Sequence, residues 1–266
     1  MYKLRDIILE RISRPKAMIL AGSPGAGKSS FIEDIDNALI MNIDDIFIRN
    51  LRNMGVSLDL KNASAEERSK AASAFAAANK EFRPQIIDII KGKKNFVLDT
   101  TSANTGTTLR YKQQLEELGY EVLMVYVFAS LEKSLDRNET RFKRSQGKDR
   151  SLSPAIVLRT WNSVTQNYDF FKKEFGNNFV SVVNDKALQK GEPQKSLEDL
   201  LDKYVTPYKP TDTKPKTDKQ QQKSDQQKAE LNNQITTFIN SDKVEDIKSD
   251  SVSKGEAKSR VKQFFS

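Results

Sequence analysis

The feature that most constrains this chain is a glycine-rich loop at residues 22–30, Gly-Ser-Pro-Gly-Ala-Gly-Lys-Ser-Ser. The loop satisfies the pattern G-x-x-x-x-G-K-[ST], follows the apolar run 17–21 and precedes a predicted helix over 28–36. A glycine-rich turn between a buried strand and a helix directs successive amide N–H groups at an anion, beside the positive end of the helix. The sequence therefore predicts a loop that binds phosphate groups.

The residue types of this loop suit ATP and Mg²⁺. Glycine permits positive φ angles and lets the backbone approach a ligand closely. Lys28 supplies a positive charge for the β and γ phosphates, and the Ser29 hydroxyl is a hard oxygen ligand of the kind that Mg²⁺ prefers. We therefore expect the nucleotide to contact the whole loop, namely Gly22, Ser23, Pro24, Gly25, Ala26, Gly27, Lys28, Ser29 and Ser30.

Short apolar runs alternate with segments of helical periodicity from the loop to residue 208. The runs predict strands at 17–21, 38–43, 95–98, 121–128 and 179–183, each buried on both faces. Such alternation is typical of an α/β fold, here a three-layer sandwich of the P-loop kinase type with a five-stranded parallel sheet. An amphipathic helix is predicted at 2–13, and Pro84 is expected to kink or break the helix around it.

Beyond residue 208 the composition changes abruptly. The segment 209–227 has almost no apolar side chains, which predicts a disordered linker after a P-loop kinase domain at 1–208. Residues 228–266 have the pattern of short amphipathic helices, but isolated helices of this length are marginally stable. We therefore expect a largely disordered tail that is free to bind a protein partner.

Acidic residues follow two of the predicted strands, at the sheet edge where parallel sheets bind ligands. Asp44 and Asp45 follow the second strand, and Asp99 and Thr101 follow the third. The chain has no histidine, so a carboxylate is the most available proton acceptor. Asp44 is the candidate base, with a helix cap as its alternative, and Asp45 is a helix cap or an acceptor contact. Asp99 is a candidate for the water shell of Mg²⁺ or for a substrate hydroxyl, again with a cap as its alternative.

Four arginines form a further candidate cluster. Three of them recur at i, i+4 and i+7 on one face of a predicted helix over 131–144, and the fourth follows in a polar connection. Phosphoryl transfer needs cations against the charge that spreads over the γ-phosphoryl oxygens. We therefore interpret three as lid residues that contact ATP and one, Arg144, as part of a solvated basic face. The lid candidates are Arg137, Arg141 and Arg150.

Five blocks of sequence occur in order within residues 17–185: AMILAGSPGAGKSSF, MNIDDIF, FVLDTTSAN, LDRNETR and SLSPAIVLRTWNSV. Together they resemble the zeta-toxin-like P-loop kinases and the phage polynucleotide kinase domain. The resemblance implies transfer of the γ-phosphate of ATP to a hydroxyl, on a nucleotide sugar for zeta toxins and at a nucleic-acid 5′ end for polynucleotide kinases. It also implies a phage-encoded protein.

The same resemblance assigns roles to residues already singled out. The matching residues are Lys28 and Ser29 for nucleotide and magnesium, Asp44 for the general base with Asp45 as the alternative register, Asp99 and Thr101 for the substrate or metal side, and Arg137 and Arg141 for the lid that clamps ATP. The family carboxylate is usually followed three positions later by an arginine, where this chain has Phe47. The segment 50–92 and the tail match neither family.

Three functions therefore stay open. The chain is an ATP-dependent kinase of a small molecule or nucleotide sugar, or a polynucleotide or modified-base DNA kinase, which the net charge of +8 favours. The third alternative is a nucleotide-binding module with vestigial turnover, whose tail recruits a partner. No apolar run approaches the ~20 residues of a membrane span, and cysteine is absent. We expect a cytoplasmic protein without membrane contact, in the host cytoplasm if it is phage-encoded.

Overall fold

A parallel β-sheet forms the centre of the fold in a computed structural model that describes residues 14–33, 35, 37–207 and 217–266. Its strands are β1 Lys16–Ala21, β2 Leu39–Asn42, β3 Phe96–Asp99, β4 Glu121–Phe128 and β5 Phe179–Val183, in the spatial order β2-β3-β1-β4-β5. Neighbouring strands pair in parallel, and Leu20 at the end of β1 lies opposite Asp99. The predicted five-stranded sheet of a P-loop kinase-type α/β fold is confirmed. The helix predicted at 2–13 lies outside the described residues.

Helices pack on both faces of this sheet. The helices before residue 208 are α1 Ile43–Asn53, α2 Ala65–Lys91, α3 Thr105–Glu117, α4 Leu131–Arg144, α5 Pro154–Gln166, α6 Tyr168–Phe175, α7 Lys186–Gln189 and α8 Leu197–Leu200. The tail adds α9 Asp218–Ile239, α10 Lys243–Asp250 and α11 Lys254–Phe265. In the part of the chain that the structure describes, no helix is both long enough and apolar enough to cross a membrane.

The segment after the phosphate loop is less helical than predicted. Instead of a helix over 28–36, the described residues form only a 3-10 turn, Lys28–Phe31. Two residues of the predicted helix, Asp34 and Asp36, lie outside the description. Among the described residues, one turn of helix follows the phosphate loop directly.

Strand β2 lies at the edge of the sheet, and the prediction that it is buried on both faces is wrong. Leu39 and Ile40 are 44% and 38% exposed, and β2 has a neighbouring strand on one side only among the described residues. The strand ends at Asn42, and the chain enters α1 without a loop. Asp44 and Asp45 therefore lie in the first turn of a helix, where the helix dipole favours negative charge.

The sequence predicts a kink or break at Pro84, but helix α2 runs without interruption through it, so the helix is not broken there. Its apolar spacing continues on both sides of the proline, and Phe82 and Ile89 are buried. The helix also begins with a reciprocal capping box between Ser64 and Glu67. Packing of the apolar face outweighs the backbone hydrogen bond that proline cannot donate.

The expectation of a disordered tail is wrong. Residues 218–265 form helices, whereas part of the predicted linker, 209–216, lies outside the described residues. Phe238 of α9 packs edge-on against Trp161 of α5, with ring centroids 5.4 Å apart. Tail residues Ile235, Phe238, Val244 and Ile247 belong to the apolar layer on one face of the sheet. The tail helices are stabilised by the core rather than by their own propensity.

The last helix completes the opposite face of the sheet. Ala257, Val261 and Phe265 of α11 are buried with sheet residues such as Leu20 and Val125. The chain that leads into α11 is tied to β5, because the Val252 N–H donates to the Ser181 carbonyl at 2.9 Å. Most apolar side chains of the tail are thus used inside this chain.

We expect Phe238→Ala to lower the free energy of unfolding by about 3 kcal/mol, because truncation of a buried phenylalanine leaves a cavity. Thermal and denaturant unfolding measure the loss. The matched control is Lys228→Ala, an exposed position on the same helix, which should change stability by less than ~0.5 kcal/mol. An equally small effect of Phe238→Ala would mean that the tail contributes nothing to the core.

Candidate active site

A cavity of about 1850 Å³ opens at the carboxyl ends of β1, β2 and β3, where parallel sheets bind ligands. It brings together most residues that the sequence singled out, from four separate segments of the chain. These are Pro24, Gly25, Gly27, Lys28, Ser29, Asp44, Asp45, Asp99, Thr101, Arg137, Arg141 and Arg150. Arg144, interpreted from sequence as solvated, also lines the cavity.

Four loop residues of the predicted nucleotide site do not line the cavity: Gly22, Ser23, Ala26 and Ser30. They hold the shape of the loop instead. The Gly22 N–H donates to the Thr101 carbonyl at 3.3 Å, and the Ser23 hydroxyl lies 3.0 Å from the hydroxyl of Ser134 on α4. The Ser30 hydroxyl donates to the Gly27 carbonyl at 2.9 Å.

Two glycines of the loop are required by its geometry. Gly25 and Gly27 have φ values of 80° and 87°, in the left-handed region that side chains disfavour. A Cβ at Gly25 would lie 2.5 Å from the backbone oxygen of Ser134, so the loop passes too close to α4 for any side chain. The tight loop leaves its amide groups at the N-terminal end of the turn Lys28–Phe31, as anion binding requires.

Lys28 lies folded over the loop. Its Nζ donates to the carbonyl oxygens of Gly22 at 3.0 Å and Ser23 at 3.4 Å. Burial lowers the pKa of Lys28, and the nearby carboxylate of Asp99 opposes this effect. A buried lysine held by neutral carbonyls is only partly compensated, so an anion in the cavity would be a stronger partner.

Asp99 at the end of β3 is largely buried and incompletely satisfied. Its Oδ2 accepts a hydrogen bond of 2.9 Å from Asn42 Nδ2. Its Oδ1 is buried and accepts no hydrogen bond from any described residue. Burial raises the pKa of Asp99, and the charge of Lys28 opposes this effect. A buried, orphaned carboxylate oxygen beside the phosphate loop is a site for a cation or its bound water.

Asp44 is paired with an arginine rather than used as a helix cap. The cap of α1 is Asn42, whose Oδ1 accepts the Asp44 N–H at 2.8 Å. The Asp44 carboxylate is therefore free to accept from Arg150, with Nη2 and Oδ1 2.7 Å apart. Arg150 also lies over the ring of Phe47 at 5.4 Å, and its buried Nε donates to no described residue.

Asp45 is the more exposed of the two neighbouring carboxylates and has no ion-pair partner among the described residues. Partial burial raises the pKa of Asp45, and the negative charges of Asp44 and Asp149 act in the same direction. It lines the cavity beside Asp44, so the structure keeps both carboxylates within the site. Their environments differ, because only Asp44 has a cationic partner.

Arg137 braces the phosphate loop from behind. Its Nη1 donates to the carbonyls of Gly25 at 2.9 Å and Ala26 at 3.0 Å, and its Nη2 donates to the Asn184 carbonyl at 3.0 Å. The Asn184 side chain donates to the same Ala26 carbonyl at 2.8 Å. In this structure Arg137 therefore supports the loop backbone, a position that differs from the lid predicted for it.

Arg141 reaches the lid segment, residues 145–153. Its Nε donates to the Asp149 carboxylate, with 2.6 Å between the nitrogen and Oδ2. The lid is itself anchored across the cavity, because the Ser151 N–H donates to the Leu58 carbonyl at 2.9 Å and its hydroxyl donates to Asp59 at 2.6 Å. The lid and the chain before α2 are thus joined by hydrogen bonds and together cover one side of the cavity.

Sequence reasoning missed several residues of this site. Asn42 holds Asp99 and caps α1, and its place directly before the acidic pair was the available signal. Asn184 follows the fifth strand, at the sheet edge where ligand-contacting residues collect. Arg68 and Phe75 on α2 form part of the cavity wall, and no local sequence motif predicts this position for them. Phe75 is 44% exposed.

Solved structures similar to this chain share little sequence with it. The Pnkp1/Rnl/Hen1 RNA repair complex is 20% identical over 59% of this chain and 46% of that chain, with a TM-score of 0.42. The PezAT toxin-antitoxin system of Streptococcus pneumoniae is 15% identical over 87% and 92%, with a TM-score of 0.43. The AvrRxo1-ORF1:-ORF2 complex with ATP is 14% identical over 94% and 81%, with a TM-score of 0.45.

No curated protein matches the chain. Family-level comparison is informative where pairwise comparison is not. The family model described as Zeta toxin matches residues 3–192. This range includes the phosphate loop, the carboxylates at the ends of β2 and β3, and the lid arginines. The tail from residue 193 onward lies outside this match. Together with the P-loop kinase-type sheet, the match shows that the chain belongs to the zeta toxin family.

Proposed function

We propose that the chain is an ATP-dependent kinase that transfers the γ-phosphate of ATP to a hydroxyl of a small-molecule acceptor such as a nucleotide sugar. One observation carries the proposal. A single cavity holds the phosphate loop, the Asp44 carboxylate, and two arginines that are paired with carboxylates instead of phosphates. Membership of the zeta toxin family supports the same reaction class.

The phosphates of ATP would take the place of the partners that Lys28 and the lid arginines have now. Lys28 would exchange two neutral carbonyls for the β and γ phosphates. Arg141 and Arg150 would exchange Asp149 and Asp44 for phosphate oxygens. Charge-assisted hydrogen bonds from arginine to phosphate are of the same strong class as those to carboxylate, so phosphates can replace the present partners.

The residues at the loop fit Mg²⁺. Ser29 is exposed to the cavity, and Asp99 offers a buried oxygen without a partner. The described residues contain no cluster of three or more acidic or cysteine ligands, and Mg²⁺ needs none, because substrate phosphates and water complete its coordination. When bound, the ion neutralises charge on the phosphates.

Asp44 is the proposed general base. Once Arg150 turns to a phosphate, the Asp44 carboxylate can accept the proton of the acceptor hydroxyl. The acceptor oxygen then bonds to the γ phosphorus as the bond to the bridging oxygen of ADP breaks. Arg141 and Arg150 oppose the charge that develops on the transferred group. Arg137 acts indirectly in this scheme, by fixing the carbonyls of the loop.

The acceptor would bind against the wall formed by α2 and the chain before it. Phe75 offers a partly exposed aromatic ring, and Arg68 places positive charge at the same wall. These groups suit an acceptor with an aromatic base and phosphates, in agreement with the nucleotide-sugar acceptor that the family resemblance implies.

Asp99→Asn is expected to reduce phosphoryl transfer by about 10²-fold, as for loss of one transition-state contact, while leaving the melting temperature unchanged or higher. A raised pKa means that the folded chain holds this proton more tightly than the unfolded chain, so the ionised carboxylate weakens the fold as pH rises. Asparagine removes that penalty and keeps the acceptor for Asn42. A fall in melting temperature of several degrees would contradict this account, as would unchanged transfer.

The proposed function is tested by incubating the protein with Mg²⁺ and ATP labelled at the γ-phosphate. Separate reactions contain nucleotide sugars, free sugars and nucleosides, or oligonucleotides with 5′ hydroxyls. Label on a small-molecule acceptor supports the proposal, and label on oligonucleotides alone would favour a polynucleotide kinase. Bound ATP without labelled product in any reaction would mean that turnover is vestigial.

A further inference from the structure

We propose that the C-terminal helix α11 is a positioning element for the phosphate loop, which it supports from the sheet face opposite α5. The inference rests on the proposed function only for the measurements of ATP binding and turnover. It concerns residues beyond the family match, which ends at residue 192. The contact that carries it joins Lys254 of α11 to Phe31, the last residue of the turn after the loop.

The first step is that the loop has little support of its own on this face. Only the 3-10 turn Lys28–Phe31 follows it directly in the described chain. One such turn has few backbone hydrogen bonds and is a weak anchor. Yet Phe31 is 2% exposed and Ala26, inside the loop, is fully buried. Ile32, Ile35 and Ala38, just after the turn, are only partly buried in the same cluster, so other elements complete the cover on this side of the loop.

The second step is that α11 belongs to the same apolar layer. Ala257, Val261 and Phe265 share one buried cluster with Ala26 and Phe31. The Nζ of Lys254 lies 5.4 Å from the centroid of the Phe31 ring, a cation–π contact at the start of α11. No other tail helix contributes buried residues to this cluster among those that the structure describes.

The third step is that contacts near both ends of α11 hold the helix in position against the sheet. The Val252 N–H donates to the Ser181 carbonyl of β5 at 2.9 Å, and the hydroxyls of Ser251 and Ser181 lie 2.8 Å apart. At the other end of the helix, Lys16 of β1 lies 5.8 Å from the ring centroid of Phe264. Because β1 leads directly into the loop, α11 connects both flanks of the loop to β5.

The loop is thus held from two sides. Arg137 and Asn184 hold the carbonyls of Gly25 and Ala26 from the side of α4. On the other face of the sheet, helix α11 contacts Phe31 through Lys254 and shares one buried cluster with Ala26. Anion binding by backbone amides depends on their fixed orientation, so loss of either support should weaken ATP binding before it alters the chemical step.

The experiment compares point variants in the full chain. Lys254→Ala removes the cation–π contact, Phe31→Leu keeps an apolar side chain but removes the ring, and Val261→Asp dislodges α11 from its seat. The control is Lys262→Ala, an exposed position on the same helix. For each variant we would measure amide hydrogen exchange in residues 22–31, the KM for ATP, kcat and the melting temperature.

We expect Lys254→Ala and Phe31→Leu to raise the KM for ATP about 2- to 5-fold, as for loss of an exposed cation–π contact. Exchange in residues 22–31 should rise, while kcat and exchange in β4 stay unchanged. Val261→Asp should raise the KM at least tenfold. Wild-type exchange and KM in Lys254→Ala and Phe31→Leu would overturn the inference. If the wild-type protein binds no ATP, the proposed function fails, whereas the exchange data still decide this inference.

Discussion

Replacing Lys28 by methionine is expected to reduce phosphoryl transfer from ATP by about 10²- to 10³-fold. Lys28 is the one charged residue of the loop 22–30, and in the proposed function it binds the β and γ phosphates; loss of one such contact costs a few kcal/mol in the transition state. Methionine keeps the aliphatic stem that packs in the loop. Because burial already lowers the pKa of Lys28, its charge destabilises the fold, and the melting temperature of the variant should not fall.

The measurement is transfer of labelled γ-phosphate under saturating acceptor, with unfolding followed in parallel. Lys190→Met is the control, because Lys190 is exposed and lies outside the cavity. It should retain full activity. A folded Lys28→Met protein with wild-type turnover would show that the loop does not bind the transferred phosphate.

Asp44→Asn is expected to lower transfer by roughly 10²- to 10⁴-fold, the range for loss of a general base. Asparagine keeps the size of the side chain and an oxygen for Arg150, but it cannot hold the proton of the acceptor hydroxyl. The KM for ATP should not rise, since the variant frees Arg150 from an ionic partner. The split between kcat and KM therefore separates a base from a residue that only binds ATP.

Asp45→Asn is the matched control for Asp44→Asn, because both carboxylates line the cavity from one turn of α1. It should have the smaller effect. A large loss in Asp45→Asn with a silent Asp44→Asn would move the base by one position. If neither variant slows transfer, Asp99 is the next carboxylate to test.

The sheet was predictable because each of its strands is a compact apolar run between polar segments. The motif at 22–30 also predicts the elements next to it, because a phosphate loop of this type follows a strand and precedes a helical turn. Asp44 and Asp99 were predictable for a topological reason. Parallel strands end at one edge, so polar residues at two strand ends must lie near the loop.

The partners of these residues were not predictable from local pattern. Arg150 reaches Asp44 over a separation of more than 100 positions, and Arg137 donates to the loop carbonyls although it also lines the cavity. The choice depends on how α4 and the lid pack, which no short window of sequence contains. Asn42 was overlooked for a related reason, because the adjacent carboxylates were the stronger chemical signal.

The tail was misjudged because its apolar residues are sparse and its linker is polar. Sparse apolar residues give a helix little stability when it is isolated. Phe238 and Val261 are nevertheless buried, because each packs in an apolar cluster formed with the core. Composition reports how much surface a segment could bury, but not whether another part of the chain is left uncovered. Here the tail helices cover part of the apolar layer on each of the two faces of the sheet.

The position of α11 also links the fold to the rate of protein synthesis. Ala26 and Val261 belong to one apolar cluster, although about 235 residues separate them along the chain, so the cluster joins segments that are far apart in sequence. At ~5–20 residues per second, roughly 12 to 47 seconds pass on the ribosome between these two residues. During that interval the nascent chain exposes an open sheet face beside its phosphate loop, and the pace of translation sets the earliest moment at which that face can close.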